Sequence, residues 1–211
     1  WESTKSMHDW FSENNIAGIS GIDTRELTKI LRERGTMLGR IQKDPDENWK
    51  IEDPNKMDLV ATVTIKENTE RGEGPKILLV DCGCKSSIED HLIEYGCKVI
   101  RVPYDHPLTG IEYDGVLISN GPGNPEMNKA TIENVRRLLK GTKPVGGICL
   151  GNQIIALAAG AKTFKLPFGH RSQNQPCIEV GTKHCVVTSQ NHGYAVDKKT
   201  LPEGWEVWYE N

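Results

Sequence analysis

Short apolar runs alternate with amphipathic stretches through the middle of the chain. Residues 76–80, KILLV, form an unbroken apolar run and predict a strand buried on both faces. Residues 98–102, 115–118 and 145–148 predict three more strands. Between them, residues 86–95 and 130–140 carry apolar positions at helical spacing, and Gly96 stops the first of these helices. Residues 153–159 read as a further helix in which only Gln153 is polar. Strands alternating with helices predict an α/β fold: an open, mainly parallel sheet flanked by helices. In such sheets ligands sit beyond the C-terminal strand ends, where residues 81–85, 119–125 and 147–151 fall.

The flanks follow other patterns. Residues 3–15 predict an amphipathic helix capped by Ser3 or Thr4, with Met7, Trp10 and Phe11 on one face. Residues 16–22, IAGISGI, predict a tight buried segment. Asp23 or Thr24 caps a helix over 25–34, with Leu27, Ile30 and Leu31 on its buried stripe and Gly35 as its stop. Residues 37–41 and 60–65 predict short strands, and 42–58 a loop or irregular helix. Residues 66–75 are charged and glycine-containing, which predicts a linker. Residues 162–165, 178–180, 185–188 and 205–209 predict short antiparallel strands. The domain reading is therefore 1–66, a linker at 67–75, and a sheet domain at 76–211.

The chemistry concentrates in Gly147-Ile148-Cys149-Leu150-Gly151. This is the spacing of a nucleophile elbow with cysteine in place of serine. The strand-to-helix turn is so tight that residues two either side of the nucleophile must lack bulk. A cysteine at a helix start is expected to favour the thiolate, and the Leu150 N–H is expected to be free for a developing oxyanion. The loop 120–125, NGPGNP, is the second signal. Gly121 and Gly123 let a ligand approach the backbone, and the Gly121 N–H would complete a two-donor oxyanion hole with Leu150. The third is the polar run 188–194, TSQNHGY, expected at a strand end. There His192 is a candidate base for Cys149. The polar run 168–176 reads as a loop that either lines the site or is simply solvated.

Composition narrows the classes. A net charge of −3 and a pI near 6.1 give no reason to expect nucleic acid or an anionic membrane as partner. No apolar run approaches the roughly 20 residues that span a bilayer. Six cysteines are too sparse for a disulfide scaffold, so an intracellular, cytoplasmic setting is expected. Cys82-x-Cys84 lacks a partner pair at zinc spacing, so no metal site is expected. The absence of an initiator Met and the abrupt end suggest a piece of a longer polypeptide.

Together GGICLGNQ, SNGPGNP and TSQNHGYAVD resemble the class I (triad) glutamine amidotransferases. The resemblance is closest to the glutaminase of carbamoyl phosphate synthetase, as a small subunit or as the equivalent part of a fused enzyme. GISGIDTRELTKILRERGTMLG resembles the end of that small subunit's N-terminal α/β domain, and LPFGHRSQNQPC its segment after the elbow helix. The resemblance implies that Cys149 attacks the side-chain amide of L-glutamine, giving a glutamyl thioester and ammonia. It implies Gly121 and Leu150 as oxyanion donors, and Gly121, Gly123, Leu150, Gln153, Asn191, Gly193 and Tyr194 around the glutamine. The ammonia would pass to a synthetase large subunit or fused synthetase domains. These would use ATP and Mg²⁺ to make carbamoyl phosphate from bicarbonate, for pyrimidine or arginine synthesis. No cofactor is implied in this part. The alternative is a glutaminase-like module that binds and regulates a synthetase without hydrolysing glutamine. Two departures stand out. The family's His-x-Glu base segment does not occur, so the chain alone is expected to be inactive. Asn152 replaces the usual His. His192 corresponds to the QNHG element and not to the base.

Overall fold

A computed structural model describes residues 3–44 and 50–211. The centre of the expected 42–58 loop, residues 45–49, lies outside the described residues. The chain divides into two compact units, Trp1–Glu52 and Asp53–Asn211.

The first unit holds two helices, α1 (Met7–Glu13) and α2 (Thr24–Arg34). Ser6, not Ser3 or Thr4, caps α1 by accepting the Asp9 N–H at 3.1 Å. Asp23 caps α2 through the Glu26 N–H at 2.9 Å, and Gly35 ends it at φ 80°. Neither helix buries a residue. The expected buried segment 16–22 is instead exposed at Ile16, Ile19 and Ile22, although the Phe11 ring lies against Gly18. Residues 37–41 form no strand.

The second unit is built on a five-stranded sheet of β1 (Thr69–Arg71), β2 (Lys76–Asp81), β3 (Lys98–Pro103), β4 (Gly115–Ile118) and β5 (Val145–Gly147). Its spatial order is β1-β3-β2-β4-β5, with β2 to β5 parallel and β1 antiparallel at the edge. The helices are the short α3 (Val60–Val63), then α4 (Ser86–Glu94), α5 (Lys129–Leu138) and α6 (Leu150–Ala159). Leu78, Val80, Val102, Val116, Ile118, Leu150 and Ile154 form the centre of the core.

Three expectations change. Residues 60–65 hold the helix α3 instead of a strand, and Val60 is buried in the core. The expected linker carries β1, whose Thr69, Glu70 and Arg71 pair with Arg101, Ile100 and Val99. Arg71 and Arg101 share Glu89, which fixes that edge strand and explains why a charged sequence folds there. Four short strands are replaced by a long hairpin, β6 (Lys162–Glu179) and β7 (Cys185–Asp197), with β8 (Tyr209–Glu210) beside β6. The polar runs 168–176 and 188–194 belong to that ladder. Register shifts after Lys165 and after Ser172 absorb the irregular residues, so glycine and proline do not end the strand. No helix among the described residues is long and apolar enough to cross a membrane.

Candidate functional site

Cys149 stands between β5 and α6 with φ 54° and ψ −105°. A side-chain-bearing residue in such backbone stores about 1–3 kcal/mol of strain. The glycines either side make it possible. A Cβ on Gly147 would lie 2.6 Å from the Asn152 nitrogen, and one on Gly151 would collide with the Ile118 carbonyl oxygen. The apolar face of α6 then anchors the elbow, with Leu150, Ile154 and Ile155 all buried.

The thiol is half-buried, and burial pushes its pKa up. The Leu150 N–H, donating to the sulfur, pulls the other way but does not prevail. Loss of water around the sulfur opposes the thiolate-favouring pull expected at a helix start. The Cys149 thiol faces the Asn191 carbonyl on β7, with Sγ 3.9 Å from that oxygen.

The loops flanking the elbow converge on it. Gly121 lies against the Cys82 carbonyl, and a Cβ there would come within 2.6 Å of Leu150 Cδ2. Gly123, at φ 87°, lies beneath Leu59, and Gly83 lies beside Val63 and Pro122. The segment around α3 therefore covers both loops, a neighbour that nothing in its composition announced. Gln153 is buried and donates its side-chain amide to the Tyr194 carbonyl at 2.6 Å. The Tyr194 hydroxyl in turn donates to Asn55 Oδ1 at 3.1 Å. Gly193 lies 3.4 Å, measured from a built Cβ, from the Arg171 guanidinium.

His192 does not engage Cys149 with its ring. Nδ1 donates to the Tyr194 carbonyl at 2.7 Å, and Nε2 meets Gln190 Oε1 at 2.9 Å. The same oxygen is 3.1 Å from His170 Nδ1, and the two imidazoles meet edge to face at 5.0 Å. Burial holds His192 below the usual histidine range, helped by His170 and Arg171 and opposed by the Tyr194 hydrogen bond.

Asp81 organises the turn that follows β2. Asp81, fully buried, accepts from the Gly83 and Cys84 N–H groups at 2.9 and 2.6 Å, from the Ile65 N–H at 2.8 Å and from Arg101 at 3.1 Å. An Asp ending an apolar strand before Cys-Gly-Cys was the legible sign of this turn. Burial raises the Cys82 thiol strongly and pushes Cys84 up to about 11. Among the described residues no group of three or more His, Cys, Asp or Glu side chains could hold a metal ion. Asn152 is exposed on the first turn of α6.

A parallel α/β sheet with a cysteine on the elbow at its strand ends defines the class of this protein. Residues 78–211 match the family described as glutamine amidotransferase class-I, and the chain belongs to that family. Residues 1–41 match the carbamoyl-phosphate synthase small chain, CPSase domain. Relatives similar over the whole chain include human carbamoyl-phosphate synthase [ammonia], mitochondrial, at 44% identity. The arginine-specific small chain of carbamoyl phosphate synthase from Saccharomyces cerevisiae is 43% identical, and the multifunctional protein CAD of Squalus acanthias 46%. The chain spans 54% of the yeast small chain, 14% of the human protein and 10% of the shark protein. The fold is shared with a GMP synthase-type protein from Thermoplasma acidophilum (TM-score 0.54, 24% identity, 66% of this chain and 74% of that one). It is shared too with a glutamine amidotransferase from Thermotoga maritima (TM-score 0.53, 19% identity, 64% and 66%).

Proposed function

We propose that the chain is the glutaminase part of a carbamoyl phosphate synthase. The observation that carries this is the elbow. Cys149 is held at positive φ between two glycines that admit no side chain, on a chain whose relatives are carbamoyl-phosphate synthases over its full length. In the proposed reaction the Cys149 sulfur attacks the side-chain amide carbon of L-glutamine. The carbonyl oxygen takes up negative charge beside the N–H groups of Gly121 and Leu150, where one donor is worth about 3–4 kcal/mol of transition-state stabilisation. The C–N bond then breaks, the nitrogen takes a proton and leaves as ammonia, and a glutamyl thioester remains. Water cleaves it to glutamate and restores the thiol. Gly123, Asn191, Gly193 and Tyr194 border the glutamine, with Gln153 as the strut behind Tyr194.

The ammonia goes to a synthetase large subunit or fused synthetase domains in the cytoplasm, where ATP and Mg²⁺ drive carbamoyl phosphate formation. The base that takes the Cys149 proton is assigned elsewhere than to His192, whose Nδ1 donates to the Tyr194 carbonyl. In the family that role falls to a His-x-Glu pair. The non-hydrolytic alternative is less favoured, because a strained cysteine elbow has no use in a purely binding module.

The test is covalent trapping by the chloroketone analogue of glutamine, read by intact mass. The expected result is one adduct, at Cys149, absent from Cys149→Ser. A folded chain that takes no adduct would overturn the proposal.

A further inference from the structure

We propose that Ser119 and Asn120 are positioning residues that aim the Gly121 N–H at the oxyanion; the inference rests on the glutaminase reading above. The argument starts from the planarity of the peptide bond. The Asn120 carbonyl and the Gly121 N–H belong to one rigid plane, so fixing the direction of the carbonyl fixes that of the N–H. The Ser119 hydroxyl does this by donating to the Asn120 carbonyl at 2.8 Å. That hydroxyl oxygen is itself held, because it accepts the Cys82 N–H at 2.9 Å. Ser119 is fully buried, so no water competes for either bond.

Asn120 supplies the second grip. Its Oδ1 accepts the Lys85 N–H at 2.9 Å, and its Nδ2 donates to the Gly83 carbonyl at 3.3 Å. The turn it grips is rigid in its own right. Asp81 accepts from Gly83 and Cys84, and Arg101 ties Asp81 to Glu89 on α4, with contacts of 3.1 and 2.9 Å. Gly121 is then wedged between the Cys82 carbonyl and the Leu150 side chain, with no room for a Cβ. Two side chains outside the glutamine site thus set one donor of the oxyanion hole relative to the other. Neither touches the reacting atoms. Their effect is on the direction of an N–H that strengthens its bond only as charge develops.

The test compares two electrophiles on the full 211-residue chain, with labelling read at the Cys149 peptide by mass. The chloroketone analogue builds charge on its carbonyl oxygen, so its maximal inactivation rate reports the oxyanion hole. Iodoacetamide reacts by direct displacement, builds no such charge and reports the thiol alone. Ser119→Ala is expected to lower the maximal chloroketone rate about tenfold or more, because losing a donor outright removes about 100- to 1,000-fold and misdirection removes part of that. Asn120→Ala is expected to lower it about threefold. The half-saturating chloroketone concentration and the iodoacetamide rate should stay within about twofold in both variants. Unchanged chloroketone rates would overturn the inference. Equal falls with both reagents would overturn it too, since the elbow itself would then have moved. Failure of the wild-type chain to react with the chloroketone would sink the glutaminase reading and the inference with it, whereas the first two outcomes sink the inference alone.

Discussion

The side-chain amide of Gln153 donates to the Tyr194 carbonyl at 2.6 Å, joining the elbow helix to the hairpin strand that carries Asn191. Gln153 is buried, so water cannot replace it on that carbonyl. The bond holds the backbone that the Cys149 thiol faces. Gln153→Leu keeps the bulk but leaves the carbonyl without its donor. The expected loss is about 1–3 kcal/mol of stability in a urea melt, together with slower chloroketone labelling of Cys149. An unchanged melt would contradict the stabilising role given to this bond.

Gly151 is expected to be intolerant of any side chain. Gly151→Ala forces a methyl group into the Ile118 carbonyl, and the strand and helix must separate. The expected destabilisation is about 1–3 kcal/mol, with Cys149 labelling slowed in parallel. Gly160→Ala is the contrasting control: no atom beyond its chain neighbours lies within 4 Å of the built methyl, and only its positive φ of 110° is strained. Both are read by denaturant melts. Equal melts for Gly151→Ala and the wild type would show that the close approach is not needed.

The parallel sheet was legible because residues 76–80 and 115–118 are apolar runs that only a strand covered on both faces would carry. The elbow was legible for a steric reason, since glycines at 147 and 151 have no other common cause around a cysteine. The hairpin was not. Its polar residues satisfy one another along the ladder, as Gln190 does with His170, His192, Thr188 and Cys177, so an element that looks like loop in composition pairs as strand. Val60 gave no sign of helix, because four residues make barely one turn and only burial against the core holds them there. The thiol's upward shift escaped the sequence because burial depends on neighbours distant in the chain.

Arg101 bridges Asp81 and Glu89, two carboxylates almost wholly removed from water. Arg101→Met leaves both without their shared cation, although Arg71 still reaches Glu89 at 3.4 Å. Removing one member of a buried pair typically costs about 3–5 kcal/mol. The lower end is expected, as Arg101 retains some exposure. A urea melt indistinguishable from wild type would contradict the role given to this pair.

The pH dependence of stability has a defined sign at His192. Its folded pKa lies below the ordinary value of 6.5, chiefly because burial disfavours the charged ring. As pH falls, the unfolded chain therefore takes up the proton first. The stability this group contributes is present above pH 6.5 and is lost as pH falls through the lower folded value. His192→Asn should flatten the acid limb of a stability profile between pH 7 and the onset of acid unfolding. Parallel profiles for variant and wild type would contradict the assignment.

The most direct test of the central claim is competition at Cys149. Chloroketone labelling is followed with and without L-glutamine, with L-asparagine as the one-carbon-shorter control. A glutamine site built around this thiol predicts that glutamine slows labelling in a saturable way and that asparagine does so far less. Labelling at Cys149 that neither amino acid affects would contradict the claim, since the thiol would then be reactive without being the nucleophile of a glutamine site.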